Sequence, residues 1–140
     1  MDLHYYDTLI AVADDCPVEH AMVPAPRGGK PTVAVLQYDM LTQSPGRLTQ
    51  PDVLFGSWLA RQEHPDVPRA EEEALRAAFF AKSQACLRAS PLPKKYGWGL
   101  LFDHEGRVTL CPMESERYVR ILDGAEPAIT IRKAMRSSRR

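Results

Sequence analysis

The chain has 140 residues, enough for one hydrophobic core, and 44% of them are apolar, an ordinary share for a globular fold. Its 18 basic residues are matched by 18 acidic ones, which excludes the large positive field that a nucleic-acid coat or a membrane-surface protein needs. Three cysteines without a CxxC pair (Cys16, Cys86 and Cys111) make no disulfide framework. Together with an N-terminus that lacks a signal-peptide pattern, and with no apolar run of membrane-spanning length, they lead us to expect a soluble cytoplasmic protein.

The first predicted element is a strand from Tyr5 to Ala13, rich in aromatic and β-branched residues and ended by Asp14-Asp15. A loop follows from Cys16 to Pro31, because Pro17, Pro24, Pro26 and Pro31 deny it both helix and ladder. Thr32 to Leu41 reads as a second, central strand, since Val33, Val35 and Gln37 alternate with Ala34, Leu36 and Tyr38. Ser44-Pro45-Gly46 marks a turn. A helix is predicted to start near Thr49, where Thr49 and Asp52 have capping-box spacing, and to stop at His64-Pro65. A second helix is predicted from Pro68 to Lys82, with Glu71, Glu72 and Glu73 early and Lys82 late, as the helix dipole prefers. Its expected buried stripe is Leu75, Ala78 and Phe79.

From Cys86 to Pro93 the prolines predict an extended or irregular path. Tyr96 to Phe102 and Arg107 to Cys111 read as a hairpin about Asp103-His104-Glu105-Gly106, with Gly106 left-handed after a type I turn. Ser115 is predicted to cap a helix from Glu116 to Leu122, with Tyr118, Val119 and Leu122 inward. Ala128 to Met135 closes the chain as a strand, a helical turn being the competing reading. The expected fold is α+β, with a mainly antiparallel sheet, two central helices packed on one face and a late β-hairpin. Residues 1–136 are expected to form a single globular domain and 137–140 a frayed basic tail.

Charge is not spread evenly. No Asp or Glu occurs between Ala74 and Phe102, whereas Arg76, Lys82, Arg88, Lys94 and Lys95 do. Helix electrostatics explain part of this, because the acids sit at a helix start.

Several short runs occur in order: Tyr6-Asp7-Thr8-Leu9-Ile10, Asp15-Cys16-Pro17, Gln37-Tyr38-Asp39-Met40-Leu41 and Asp52-Val53-Leu54-Phe55. They are followed by Cys86-Leu87-Arg88-Ala89-Ser90-Pro91-Leu92-Pro93-Lys94-Lys95-Tyr96-Gly97-Trp98-Gly99, then by Met113-Glu114-Ser115-Glu116 with Tyr118, and by Lys133-Ala134-Met135-Arg136-Ser137. Together these resemble a family of short bacterial and fungal proteins described as a domain of unknown function, number 6157. The resemblance covers nearly the whole chain and implies a cytosolic, stand-alone domain. It supplies no activity, cofactor or catalytic residue.

The residues themselves nominate one ligand site: Arg88, Ser90, Lys94, Lys95, Tyr96 and Trp98. A guanidinium fork and two ammonium groups suit a small anionic or nucleotide-like ligand, or an acidic partner surface. Tyr96 or Trp98 would stack on a ring, Ser90 would donate a hydrogen bond, and Gly97 and Gly99 would let backbone approach the ligand. The architectural alternative has Trp98 filling the core, Arg88 paired with one of the three helix glutamates, and the lysines solvated.

Cys86, near Lys82 and Arg88, is a weaker candidate as a thiol nucleophile, with no histidine beside it in sequence. Cys16 with His20 falls short of a zinc ligand set. Arg27-Gly28-Gly29-Lys30 lacks the spacing of a phosphate loop, and the basic run from Arg132 to Arg140 lacks the interleaved aromatics of a nucleic-acid surface. The expectation is a binding domain rather than an enzyme, with no cofactor and no metal. A thiol enzyme and a nucleic-acid accessory protein are the alternatives.

Overall fold

The computed structural model describes residues 5–62 and 66–137. These form β1 (Thr8–Ala11), α1 (Val33–Gln43), α2 (Gln50–Ala60), α3 (Arg69–Ala81), a 3₁₀ turn (Leu87–Ala89), α4 (Pro91–Lys95), β2 (Trp98–Phe102), β3 (Val108–Pro112), α5 (Glu116–Leu122) and β4 (Thr130–Lys133). The fold is α+β. Its sheet is mixed, in the order β3-β2-β1-β4, with β1–β2 and β2–β3 antiparallel and β1–β4 parallel. No described helix is long and apolar enough to cross a membrane.

Local chemistry accounts for several elements. At the start of α2 the Thr49 side chain accepts from the Asp52 N–H, and the Asp52 carboxylate accepts from the Thr49 N–H at 3.0 Å. The β2–β3 hairpin turns at Asp103, whose carbonyl accepts from the N–H of a left-handed Gly106. Ser115 caps α5 by accepting from the Tyr118 N–H at 3.2 Å. β1 begins at Thr8 rather than Tyr5, because Asp7 takes a positive φ of 46° and breaks the extended run.

The predicted second strand, Thr32 to Leu41, is instead α1. Thr32 is its N-cap, accepting from the Val35 N–H at 3.3 Å, and Ala34, Gln37 and Leu41 recur on its buried face. Apolar residues on both sides suggested a central strand. They reflect a helix packed against α2, α4 and β3 at once. The predicted irregular stretch from Cys86 to Pro93 holds the 3₁₀ turn and the start of α4. Ser90 is extended as its following proline requires, but Leu92 is helical despite preceding Pro93. Pro91 and Pro93 both fall in the first turn of α4, where a missing N–H costs no helical bond.

Helices lie on both faces of the sheet, not on one. Ile10, Leu100, Phe102 and Val108 meet α1, α2, the 3₁₀ turn and α4 on one side. Leu9, Ala11 and Cys111 meet Tyr118 and Ile121 of α5 on the other. In α5, Tyr118 is buried as expected, but Val119 and Leu122 are exposed and Ile121 takes the inward place. The two predicted central helices also differ from each other. α2 buries Val53 and Phe55, whereas α3 has no buried residue; of its expected stripe, Leu75 and Phe79 are half-buried and Ala78 is exposed. α3 is held by an Arg76–Asp52 ion pair at 2.9 Å and by Phe79 against the rings of Trp58 and Phe55.

β4 is shorter than predicted and lies at the edge of the sheet, bracketed by bonds from the Thr130 N–H to the Asp7 carbonyl and from the Ala134 N–H to the Ala11 carbonyl. The predicted helix stop at His64-Pro65 and the tail residues 138–140 lie outside the described residues; α2 ends at Ala60, with Arg61 as its C-cap.

Candidate functional site

The sequence-nominated residues of the 86–99 segment meet several different parts of the fold. Arg88 donates from Nε to the Lys133 carbonyl at 2.7 Å, and its own carbonyl accepts from the Met135 N–H at 2.8 Å. It therefore ties down the end of the edge strand β4 rather than pairing with a glutamate of α3. Ser90 is buried as the N-cap of α4. Trp98 donates from Nε1 to the Met22 carbonyl at 2.8 Å and packs against Tyr38, ring centroids 5.3 Å apart. Tyr96 packs against the core, and its carbonyl accepts from the Met22 N–H. Lys94 and Lys95 close α4, Lys95 exposed and Lys94 half-buried.

The two glycines of this segment lie against other protein atoms. A Cβ on Gly97 would lie 2.9 Å from the His20 carbonyl oxygen and 2.9 Å from the Met113 sulfur, and its φ is +77°. A Cβ on Gly99 would lie 2.8 Å from the Tyr118 ring.

Cys86 is half-buried and accepts a hydrogen bond from the Tyr5 hydroxyl at 3.5 Å. Burial, together with that bond, pushes the Tyr5 hydroxyl up to about 12, so Tyr5 keeps its proton at neutral pH and cannot serve the thiol as a base. Arg27 and Lys30 exchange backbone bonds around left-handed Gly28 and Gly29 in a tight exposed turn. Glu114 anchors the preceding loop by accepting from the Ala21 N–H at 2.9 Å. Among the described residues no group of His, Cys, Asp and Glu could hold a metal ion.

A different set of polar groups does converge, and on a cleft. The Ser90 hydroxyl accepts from the Leu92 N–H at 3.2 Å and donates to the Gln37 Oε1 at 2.6 Å. Gln37 Nε2 donates to the Ser57 hydroxyl at 3.3 Å, and Ser57 donates on to the Val53 carbonyl at 2.8 Å. The chain of donors runs one way, from α4 through α1 into α2. All three side chains are buried, and Gln37 is only 3% exposed. A buried network in which each side chain is bonded to the next fixes one arrangement of the elements that carry it.

Gln37 and Ser57 line a cleft of about 590 Å³ bounded by α1, α2 and the flank of α3, within the range of small-molecule sites. Its apolar lining comes from Val33, Leu54, Trp58 and Phe79. Trp58 and Phe79 place their ring centroids 5.2 Å apart. Arg61, Gln62 and Gln84 supply the remaining polar groups, and Arg61 is the one charged residue among the described lining. The amides of Gln62 and Gln84 donate to the Trp58 and Phe79 carbonyls at 2.9 and 2.7 Å, and their oxygens have no donor among the described residues. A smaller groove of about 230 Å³ shares Trp58, Phe79 and Gln84 and adds Lys82.

Sequence reasoning missed Gln37 and Ser57. Reading 32–41 as a strand put Gln37 beside Val33 and Val35. At helical spacing it stands between Ala34 and Leu41 on the buried face, which is the signal that marks it. Ser57 follows Val53 by four residues on the inner face of α2, the same signal in a helix that was predicted.

The model of a family of unknown function, DUF6157, matches residues 1–140, and the chain belongs to that family. No curated protein and no solved structure matches it.

Proposed function

For this member of a family of unknown function, we propose a cytoplasmic small-molecule-binding domain whose ligand is an organic anion held in the α1–α2 cleft. One observation carries the reading: a cleft of about 590 Å³ with aromatic walls, buried polar groups at its inner end and a single charge, Arg61, among its described lining residues. Apolar walls supply affinity, and a few directed polar groups supply orientation. With Arg61 and no carboxylate in that lining, a negative group on the ligand is favoured there and a positive one disfavoured. Trp58 and Phe79 suit a planar body. The anionic character expected of the ligand is thus kept, while the 86–99 segment becomes the support of the site through Ser90.

The test uses anilinonaphthalene sulfonate, an aromatic anion whose fluorescence rises on leaving water, on protein shown to unfold cooperatively. Saturable binding at one site is expected. Arg61→Ala should weaken it roughly tenfold, the value of one charge-assisted hydrogen bond. Arg88→Ala, Lys94→Ala and Lys95→Ala should change it less than about twofold. The opposite pattern overturns the reading and returns the ligand to the 86–99 segment.

A further inference from the structure

The direction of the buried relay has a consequence for which ligands the cleft accepts. Ser90 takes the Leu92 N–H on its oxygen and spends its single proton on Gln37 Oε1. Ser57 spends its proton on main-chain carbonyls of its own helix, at 2.8 Å from Val53 and 3.2 Å from Leu54, so it can only accept from Gln37. A carboxamide has one acceptor oxygen and two N–H donors, all in one plane and pointing in different directions. With Oε1 held by Ser90 and one N–H given to Ser57, the amide cannot turn over without breaking both bonds. Its second N–H has no acceptor among the described residues, and Gln37 lines the cleft.

We infer that Ser90, acting through Gln37, makes the inner end of the cleft a hydrogen-bond donor, so that the site selects anions whose far end carries an acceptor (a carbonyl, a second carboxylate or a ring nitrogen) over those that carry a donor there. Ser90 is a positioning residue in this scheme and Gln37 the specificity-determining one. The inference rests on the cleft being the ligand site. Selection arises because a buried N–H left facing another donor is unpaired and repelled, a larger penalty than the loss of a contact. Arg61 acts differently, since it holds the anionic group common to both kinds of ligand and does not discriminate between them.

The experiment compares two naphthoates that differ only at the ring end remote from the carboxylate, one with an acetyl carbonyl and one with an amino group. The native protein should bind the acetyl compound roughly tenfold more tightly. Ser90→Ala releases the amide, and the ratio should fall to about one. Ser90→Thr, which restores the hydroxyl, should restore the ratio, separating a positioning role from damage to the fold. Arg61→Ala should weaken both compounds together and leave the ratio unchanged. A native ratio near one, with Arg61→Ala still weakening both, overturns the inference and leaves the cleft as the site. If neither compound binds, or Arg61→Ala changes neither affinity, the cleft reading fails and the inference falls with it.

Discussion

The 86–99 segment and the α1–α2 cleft divide the polar chemistry of this protein unevenly. The segment carries the conspicuous charges and aromatics, yet Arg88 is bonded to the β4 backbone and Trp98 to the loop carbonyl of Met22. The cleft has one charge and three glutamines among its described lining, and its buried polar groups, Gln37 of α1 and Ser57 of α2, are linked to each other and to the N-cap of α4. The density of charge in the sequence thus falls on side chains that bond the main chain, away from the cleft proposed as the site. A guanidinium close to a strand edge finds main-chain carbonyls, and bonding them also covers part of an edge that would otherwise be open to another strand. Buried neutral amides leave little mark on composition but are held in one geometry.

The contrast is broken most strongly at Gly97. Gly97→Ala forces a side chain into a positive φ and against the His20 carbonyl, so a loss of about 2 kcal/mol or more is expected in chemical denaturation. The folded fraction should bind the cleft probe as the native protein does. Retained stability with lost binding would mean that this segment touches the ligand after all.

Arg88→Ala should cost about 1 kcal/mol, the value of a bond to a backbone carbonyl, and should speed amide exchange in β4. Lys94→Ala and Lys95→Ala should stay within about 0.5 kcal/mol of the native protein. Equal effects at all three positions would erase the distinction between a latch and solvated charges.

The smallest effect concerns the support of the cleft at acid pH. Burial acts upward on the Asp52 carboxyl, but bonds from the Thr49 N–H, the Arg76 guanidinium and the Thr49 hydroxyl together hold it below its ordinary value. A depressed native value means that the stabilisation is present above the unfolded carboxylate range, near pH 4, and is lost as pH falls through the lower native value. Native protein should therefore lose stability on acidification more steeply than Asp52→Asn, measured by thermal melting between about pH 5 and pH 2. Identical acid profiles would remove Asp52 from the account of how α2 and α3 are held.

Much of the architecture was legible because it is locally encoded. The Thr49 capping box, the Asp103 to Gly106 turn and the Ser115 cap depend on residues within four positions of one another. Where packing from several sides replaced local preference, the pattern misled. Val33 and Val35 suggested a strand in what is a helix covered on several sides. The spacing of Leu75, Ala78 and Phe79 suggested a buried stripe on a helix that buries none of its residues.

The proposed site followed the same division. Sequence alone determined an α+β chain with its hairpin, two of its helix caps and a family membership without an activity attached. Only the tertiary structure decided that β4 runs parallel to β1, that helices cover both sheet faces, and that Ser90, Gln37 and Ser57 meet across separations of 53 and 20 residues. Caps and turns are set by neighbouring residues whose bonds close within a few positions. A directed relay between helices needs the whole core to bring its members within hydrogen-bonding distance, and no local period in the chain records that.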